Sequence, residues 1–164
     1  VTPFNAELRN RRPAALFNLW LQTNFTTEQI QAGTLTSLTA NPSGDGVKNL
    51  IKYAMGFNPL TPLTATNQAS LLQIAGSTGG VGSVIFEIPS TPSADVTIIV
   101  QASSSFATWS EIARRAGGGS WTGTADVFTG SPTLDGTRFP ILVTEPATPV
   151  YGRRFYRLSF LSTP

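Results

Sequence analysis

The spacing of apolar residues changes near residue 70, and this change constrains the fold more than any other feature. After it, short runs rich in Val and Ile alternate with clusters of Gly, Pro and Asp that are typical of turns. Seven such runs predict an antiparallel β-sandwich of about seven strands, immunoglobulin-like or fibronectin-like, because that fold spaces short strands in this way. The predicted strands are Ser70–Ala75, Val81–Ile88, Val96–Ala102, Trp109–Ala113, Ala125–Phe128, Phe139–Thr144 and Arg154–Phe160.

Before residue 70 the apolar residues recur at helical spacing. A first helix is predicted to start near Pro13, because proline suits the first helical turn. Its apolar stripe comprises Leu16, Phe17, Trp20 and Leu21, with Trp20 in the core. A second helix is predicted at Thr26, since Thr26 and Gln29 have the spacing of a capping box. The fold class is therefore mainly β with a small N-terminal helical segment.

A third helix has the clearest pattern. Its N-cap is predicted at Gly44 or Asp45, and Gly56 is placed to end it. The apolar residues Val47, Leu50, Ile51 and Ala54 recur at positions i, i+3, i+4 and i+7, which is helical spacing. The Pro- and Thr-rich residues 58–68 resemble a linker. We therefore divide the chain into an N-terminal arm (1–12), a helical segment (13–63) and a β-sandwich domain (64–164).

Residues 41–52 have the frame of a calcium-binding loop. An EF-hand-type loop takes ligands from positions 1, 3, 5, 9 and 12 and has glycine at position 6. Gly46 fills that position here. The five ligand positions hold Asn41, Ser43, Asp45, Asn49 and Lys52.

Asp45 is the one carboxylate among these positions. Lys52 stands at position 12, where a glutamate would bind calcium through two oxygens. Calcium affinity depends on the number of charged ligands. We therefore predict that the loop binds no calcium and that the chain has no metal site. The Lys52 ammonium is predicted to take the place of the ion, near Asp45 and the oxygens of Asn41 and Ser43.

The loop and the residues around it carry a resemblance. The run NPSGDGVKNLIKYAMGFNP, the run VQASSSFATW and the terminal RFYRL together span most of the chain. The chain resembles the C-terminal tail modules of large secreted proteins from Verrucomicrobia and related bacteria, and the loop is similar to dockerin and thrombospondin type 3 repeats. The resemblance implies an extracellular or cell-surface location. It also implies that Trp109, which matches the tryptophan of those modules, packs in the core of the sandwich.

Composition excludes much catalytic chemistry. The chain has no Cys and no His, so a Ser-His-Asp triad, a thiol nucleophile and the usual zinc sites are excluded. Its nine acidic residues show no suggestive local arrangement, so we predict no enzyme, no catalytic residue and no cofactor. An enzyme would require two carboxylates that face each other across a cleft. A net charge of +2 without a lysine-rich stripe argues against nucleic acid as a partner. No stretch of the sequence is long and apolar enough to cross a membrane.

Two function classes remain. The first is a structural protein that assembles with copies of itself into a filament or surface layer. The low charged fraction of the chain, 12%, favours this class, because a surface with few charges repels its neighbours weakly. The reaching segment would be the arm, with Val1, Thr2, Pro3, Phe4 and Leu8 as contacts. The second class is a glycan-binding module of a secreted protein. Trp121, in a Gly-rich loop, and Tyr151 would contact the ligand or partner.

Overall fold

The computed structural model describes residues 15–78, 81–146 and 153–162. The N-terminal arm and Tyr151 lie outside the described residues. Four short helices occupy the first half of the described chain. They are α1 (15–24), α2 (Thr27–Ala32), α3 (Asn49–Ala54) and α4 (Ala65–Ala69).

Eight strands form two four-stranded antiparallel sheets. The first sheet has the order β1-β2-β7-β6, and the second has the order β5-β4-β3-β8. The strands are β1 (Gln73–Thr78), β2 (Val81–Pro89), β3 (Val96–Ser103), β4 (Ser110–Ala116), β5 (Trp121–Gly123), β6 (Asp126–Thr129), β7 (Arg138–Thr144) and β8 (Phe155–Ser162). The predicted fold class, mainly β and a β-sandwich, is confirmed.

The two sheets share one apolar core. In β2 the buried positions Val84, Phe86 and Ile88 alternate with less buried ones, as expected for a strand with one face inward. Val100 of the second sheet and Ile141 of the first are fully buried in the same cluster. Burial of these side chains is the main stabilising contribution to the sandwich.

The helical segment covers one end of the sandwich and contributes to its core. Tyr53, Ala54 and Met55 belong to the central apolar cluster, and Met55 is fully buried. The Tyr53 hydroxyl donates a hydrogen bond of 2.6 Å to Oδ1 of the buried Asp95, which directly precedes β3. Arg138 of β7 donates from Nη1 to the Met55 carbonyl oxygen at 2.8 Å. Helix α3 and the strands are therefore held together by packing and by polar bonds.

The ends of the helices follow local sequence signals in most cases. The capping box is confirmed, because Thr26 and Gln29 exchange bonds between their side chains and backbones. Gly56 ends α3 at a φ of 69°, and the Phe57 amide donates to the Lys52 carbonyl oxygen at 2.7 Å. This is a Schellman motif, which requires a residue with positive φ at the glycine position. The prediction of where α3 starts was wrong, since its N-cap is Lys48 rather than Gly44 or Asp45.

Residues 58–68 do not form a linker. Pro59 and Leu63 are buried, and α4 begins at Ala65 with a side-chain cap from Thr64. The pattern of prolines and threonines indicated irregular backbone correctly at residues 58–64. It could not reveal that this backbone folds against the loop at residues 41–52.

The sandwich has one strand more than predicted. Strand β5 lies in the Gly-rich segment that was predicted as a loop, and its three residues pair with β4. Such a short strand carries too few residues to show alternation. The first predicted strand was also shifted, because residues 65–69 are helical and β1 begins at Gln73.

Candidate functional site

The side-chain ammonium group of Lys52 occupies the centre of the loop at residues 41–52. Lys52 is fully buried, and its Nζ lies 2.9 Å from Oδ2 of Asp45. The same Nζ donates to Ser43 Oγ at 2.6 Å and to the Thr61 carbonyl oxygen at 2.9 Å. The predicted position of Lys52 beside Asp45 and Ser43 is confirmed. The carbonyl ligand from Thr61 was not predicted, because it comes from outside the loop.

Asp45 organises both sides of this loop. Its Oδ1 accepts from the Val47 amide at 2.9 Å, and its Oδ2 accepts from the Leu63 amide at 2.9 Å. Burial tends to raise the pKa of the Asp45 carboxyl. Hydrogen bonds from Lys52, Val47 and Leu63 outweigh burial and hold this pKa well below its usual range. Asp45 is therefore a buried carboxylate that stays ionised with Lys52 as its counter-ion.

The two asparagines of the loop are not ligands of the ammonium. Asn41 accepts from the Ser43 hydroxyl at 3.3 Å, so it supports the centre through Ser43. Asn49 donates instead to the carbonyl oxygens of Leu35 and Ser37, at 2.8 and 2.9 Å. Of the five ligand positions, only Ser43, Asp45 and Lys52 meet at one point. That the loop binds no calcium stays a prediction.

Two further carboxylates form ion pairs within the β-sandwich. Glu87 pairs with Arg138, and Glu111 pairs with Arg114. The described residues contain no group of three or more His, Cys, Asp or Glu that could hold a metal ion. Three clefts of the described chain have at most one carboxylate in their lining, which is Glu87 in one of them.

Glu145 has two polar partners at the opposite end of the sandwich from the helical segment. It forms an ion pair with Arg154 and accepts from the Tyr156 hydroxyl at 2.8 Å. Burial tends to raise the pKa of Glu145, but the bonds from Arg154 and Tyr156 lower it below its ordinary value. Burial together with Glu145 raises the pKa of Tyr156 to about 12. The group links β7 and β8, so its evident role is to join the two sheets.

Trp121 lines a cleft between the ends of the two sheets, with a volume of about 620 Å³. Its half-buried ring packs edge to face on Phe86 of the core, with 5.8 Å between ring centroids. The cleft has one charged lining residue, Arg115, beside the hydroxyls of Ser120 and Thr129. Arg115 donates to the Gly119 carbonyl oxygen at 2.8 Å. No carboxylate of the described chain forms an ion pair with Arg115. Sequence reasoning identified Trp121 but missed Arg115, although Arg115 lies only six residues before it in the chain.

Trp109 is not a core residue, so that prediction was wrong. It is half-buried outside the central cluster, and the Arg157 guanidinium lies 4.2 Å from its ring centroid. The exposed Phe106 packs against it and stacks on Phe155 with 3.7 Å between centroids. Phe106 has a φ of 63°, which is unusual for a bulky residue. These side chains form a surface cluster near the turn between β3 and β4.

Strand β8 forms an open edge of the second sheet. It pairs with β3 along its whole length, from Ser162 opposite Val96 to Phe155 opposite Ser103, without a register shift. Its backbone forms no other hydrogen bond within the described chain. Leu158 and Phe160 pack against the core from β8 but stay only partly buried, as Phe139 of β7 does.

No protein-family model, no curated protein and no solved structure matches this chain. No helix among the described residues is both long enough and apolar enough to span a membrane. The fold and the site define the chain as a β-sandwich with a helical cap and a loop whose centre holds the buried Lys52 ammonium.

Proposed function

We propose that this chain is a non-enzymatic structural module of an extracellular or cell-surface protein and that it assembles with copies of itself. The observation that carries the proposal is the open edge of β8. An unpaired edge strand is a template for pairing with another chain, and natural proteins usually protect it with charge, proline or a bulge. Strand β8 has Arg157 as its one charged residue and contains neither proline nor a register shift.

The surface and the polar groups support the same class of function. A charged fraction of 12% gives weak repulsion between copies. The loop at residues 41–52 has an internal cation, the Lys52 ammonium, so we expect it to fold without metal from outside the cell. The resemblance to tail modules of secreted bacterial proteins is in accord with this assignment.

Light scattering and negative-stain electron microscopy of the purified chain test the proposal. We expect regular assemblies far larger than the 17.4 kDa chain. Deletion of residues 1–12 is expected to leave monomers. A variant with these residues in scrambled order is the matched control, because it keeps the length, composition and charge of the arm. A wild-type chain that stays monomeric at every concentration would refute the proposal.

A glycan-binding module is the second candidate, and the cleft beside Trp121 favours it. Aromatic rings stack on the apolar faces of sugars, and the cleft adds hydroxyls and one guanidinium without a carboxylate partner in the described chain. This combination suits a sugar that carries a carboxylate.

Fluorine NMR of the chain labelled with 5-fluorotryptophan tests this second candidate, since the chain has three tryptophans. Titration with an oligogalacturonate is expected to shift the Trp121 resonance alone. Arg115→Gln is expected to weaken binding, whereas Arg114→Gln, whose side chain pairs with Glu111, is the matched control. If a neutral cello-oligosaccharide shifted the Trp121 resonance equally, Arg115 would have no part in recognition of the sugar. A chain that binds neither sugar would remove the glycan candidate.

A further inference from the structure

Arg115 and Trp121 stand directly opposite each other in the ladder between β4 and β5. Opposite residues of an antiparallel pair direct their side chains to the same face of the sheet. Ala113, two residues before Arg115, is fully buried, so this face is the inner one. The guanidinium and the indole ring therefore line the cleft side by side, whereas Arg114 lies on the outer face.

The turn between β4 and β5 fixes the direction of the Arg115 side chain. Its Nε donates to the Gly119 carbonyl oxygen at 2.8 Å, and its Nη2 donates to the Gly118 carbonyl oxygen at 3.5 Å. These two bonds use one edge of the planar guanidinium. Its Nη1 has no acceptor among the residues that the structure describes. The edge formed by Nη1 and Nη2 is therefore left for a ligand.

The charge of Arg115 is not balanced within the described chain. Arg114, Arg138 and Arg154 each form an ion pair with a glutamate. No carboxylate in the described ranges pairs with Arg115, and burial lowers the pKa of its guanidinium, because a charge partly removed from water is less stable. A carboxylate ligand would supply the balancing charge and two parallel hydrogen bonds to the free edge.

Gly117 sets the position of this turn against the loop between β2 and β3, which also lines the cleft through Pro92. The Gly117 amide donates to the Val96 carbonyl oxygen at 2.8 Å, and the φ of Gly117 is 56°. A Cβ atom at residue 117 would lie 2.5 Å from the carbonyl oxygen of Ala94. Glycine alone tolerates both this conformation and this approach. A larger residue would move the turn and the carbonyl oxygens that hold Arg115.

We propose that the Nη1–Nη2 edge of Arg115 binds the carboxylate of an acidic sugar while the sugar ring lies against Trp121, and that Gly117 is the positioning residue for this contact. The inference rests on the glycan-binding candidate and names the group of the sugar that the cleft selects. The cleft volume of about 620 Å³ is within the usual range of ligand sites. A lysine would keep the charge of Arg115 but not its two parallel donors.

Two sugars that differ only at C6 test the selection of a carboxylate. The chain labelled with 5-fluorotryptophan is titrated with D-galacturonate, which has a carboxylate there, and with D-galactose, which has a hydroxymethyl group. We expect galacturonate to shift the Trp121 resonance with at least about tenfold higher affinity than galactose, because hydrogen bonds to charged groups are strong. Arg115→Lys is expected to remove this preference. Arg114→Lys, on the outer face, is the matched control and is expected to keep it.

The role of Gly117 has a separate readout. In ¹⁵N spectra of the free chain, the Nε–H resonance of Arg115 reports its bond to the Gly119 carbonyl oxygen. Gly117→Ala is expected to shift this resonance and to weaken galacturonate binding by about tenfold. Arg114→Lys is expected to change neither. If Gly117→Ala does not fold, Arg115→Lys still tests the contact with the carboxylate.

The outcomes separate the inference from the function on which it rests. Equal affinity for the two sugars, or full galacturonate affinity in Arg115→Lys, would overturn the inference while the glycan-binding candidate stands. Wild-type affinity and an unshifted Arg115 resonance in Gly117→Ala would refute the positioning role. A wild-type chain whose Trp121 resonance responds to no sugar, oligogalacturonate included, would overturn both the inference and the candidate.

Discussion

The ammonium of Lys52 lies 2.9 Å from the Asp45 carboxylate, at the centre of a loop whose frame is that of a calcium site. Both side chains are almost inaccessible to solvent. A covalently attached cation has the advantage that it cannot dissociate. The loop is therefore able to hold α3 and residues 59–63 together without an ion from the medium.

Replacement of Lys52 by methionine is expected to lower the free energy of unfolding by about 3–5 kcal/mol, because it leaves Asp45 buried without a counter-ion. Urea denaturation followed by circular dichroism measures this change. Lys48→Met, at an exposed position of the same loop, is the control and is expected to change stability by less than about 0.5 kcal/mol. Equal effects of the two variants would show that the buried pair is not important for stability.

Removal of calcium is expected to leave the wild-type chain unchanged. The melting temperature should be the same in EDTA and in millimolar calcium, since the Lys52 ammonium occupies the centre of the loop. In Lys52→Glu the same loop gains an acidic ligand at position 12. We expect that variant to be less stable in EDTA and to be stabilised by calcium. Micromolar binding of calcium by the wild-type chain, measured by calorimetry, would contradict this prediction.

The stability of the chain is expected to fall in acid, in part through Asp45. The pKa of this carboxyl is lowered on folding, so its stabilising contribution is complete above its unfolded value of about 3.8 and is lost as pH falls through the lower folded value. Free energies of unfolding between pH 6 and pH 2 measure this loss. Asp45→Asn is expected to be less stable at pH 6 and to lose less stability on acidification. A parallel pH dependence of the two proteins would exclude Asp45 as a cause.

Tyr53→Phe is expected to destabilise the chain by about 1–3 kcal/mol. It removes the hydrogen bond of 2.6 Å to the buried Asp95, so Oδ1 of Asp95 loses the donor that Tyr53 supplies. Circular dichroism and tryptophan fluorescence should still report one coincident unfolding transition, since α3 contributes to the core of the sandwich. Two separate transitions in the wild-type chain would contradict a shared core.

Gly82→Ala is expected to destabilise the chain by about 1–3 kcal/mol through overpacking. The added methyl group would overlap the Tyr156 hydroxyl, so the ring would have to move away from Glu145. Gly118→Ala is the control, because its methyl group meets nothing within 4 Å. Thermal denaturation compares the two. The prediction fails if Gly82→Ala melts at the wild-type temperature.

Local sequence patterns were sufficient for much of the fold. The Val- and Ile-rich runs and the turn residues between them predicted the β-sandwich, because strand and turn preferences depend on residues that are neighbours in sequence. The capping box at Thr26 and the glycine at position 56 were predicted correctly, because such caps involve residues only a few positions apart. The position of Lys52 beside Asp45 followed from loop spacing in the same way.

The tertiary structure alone decided the features that depend on distant residues. Sequence could not show that Trp109 lies outside the core beneath Arg157 or that Trp121 packs on Phe86, because Arg157 and Phe86 are remote from these rings in the chain. It also could not show that β8 is an edge strand. A strand with one neighbour and a strand with two have the same alternation, and only the pairing of all eight strands reveals which strands lie at the edges.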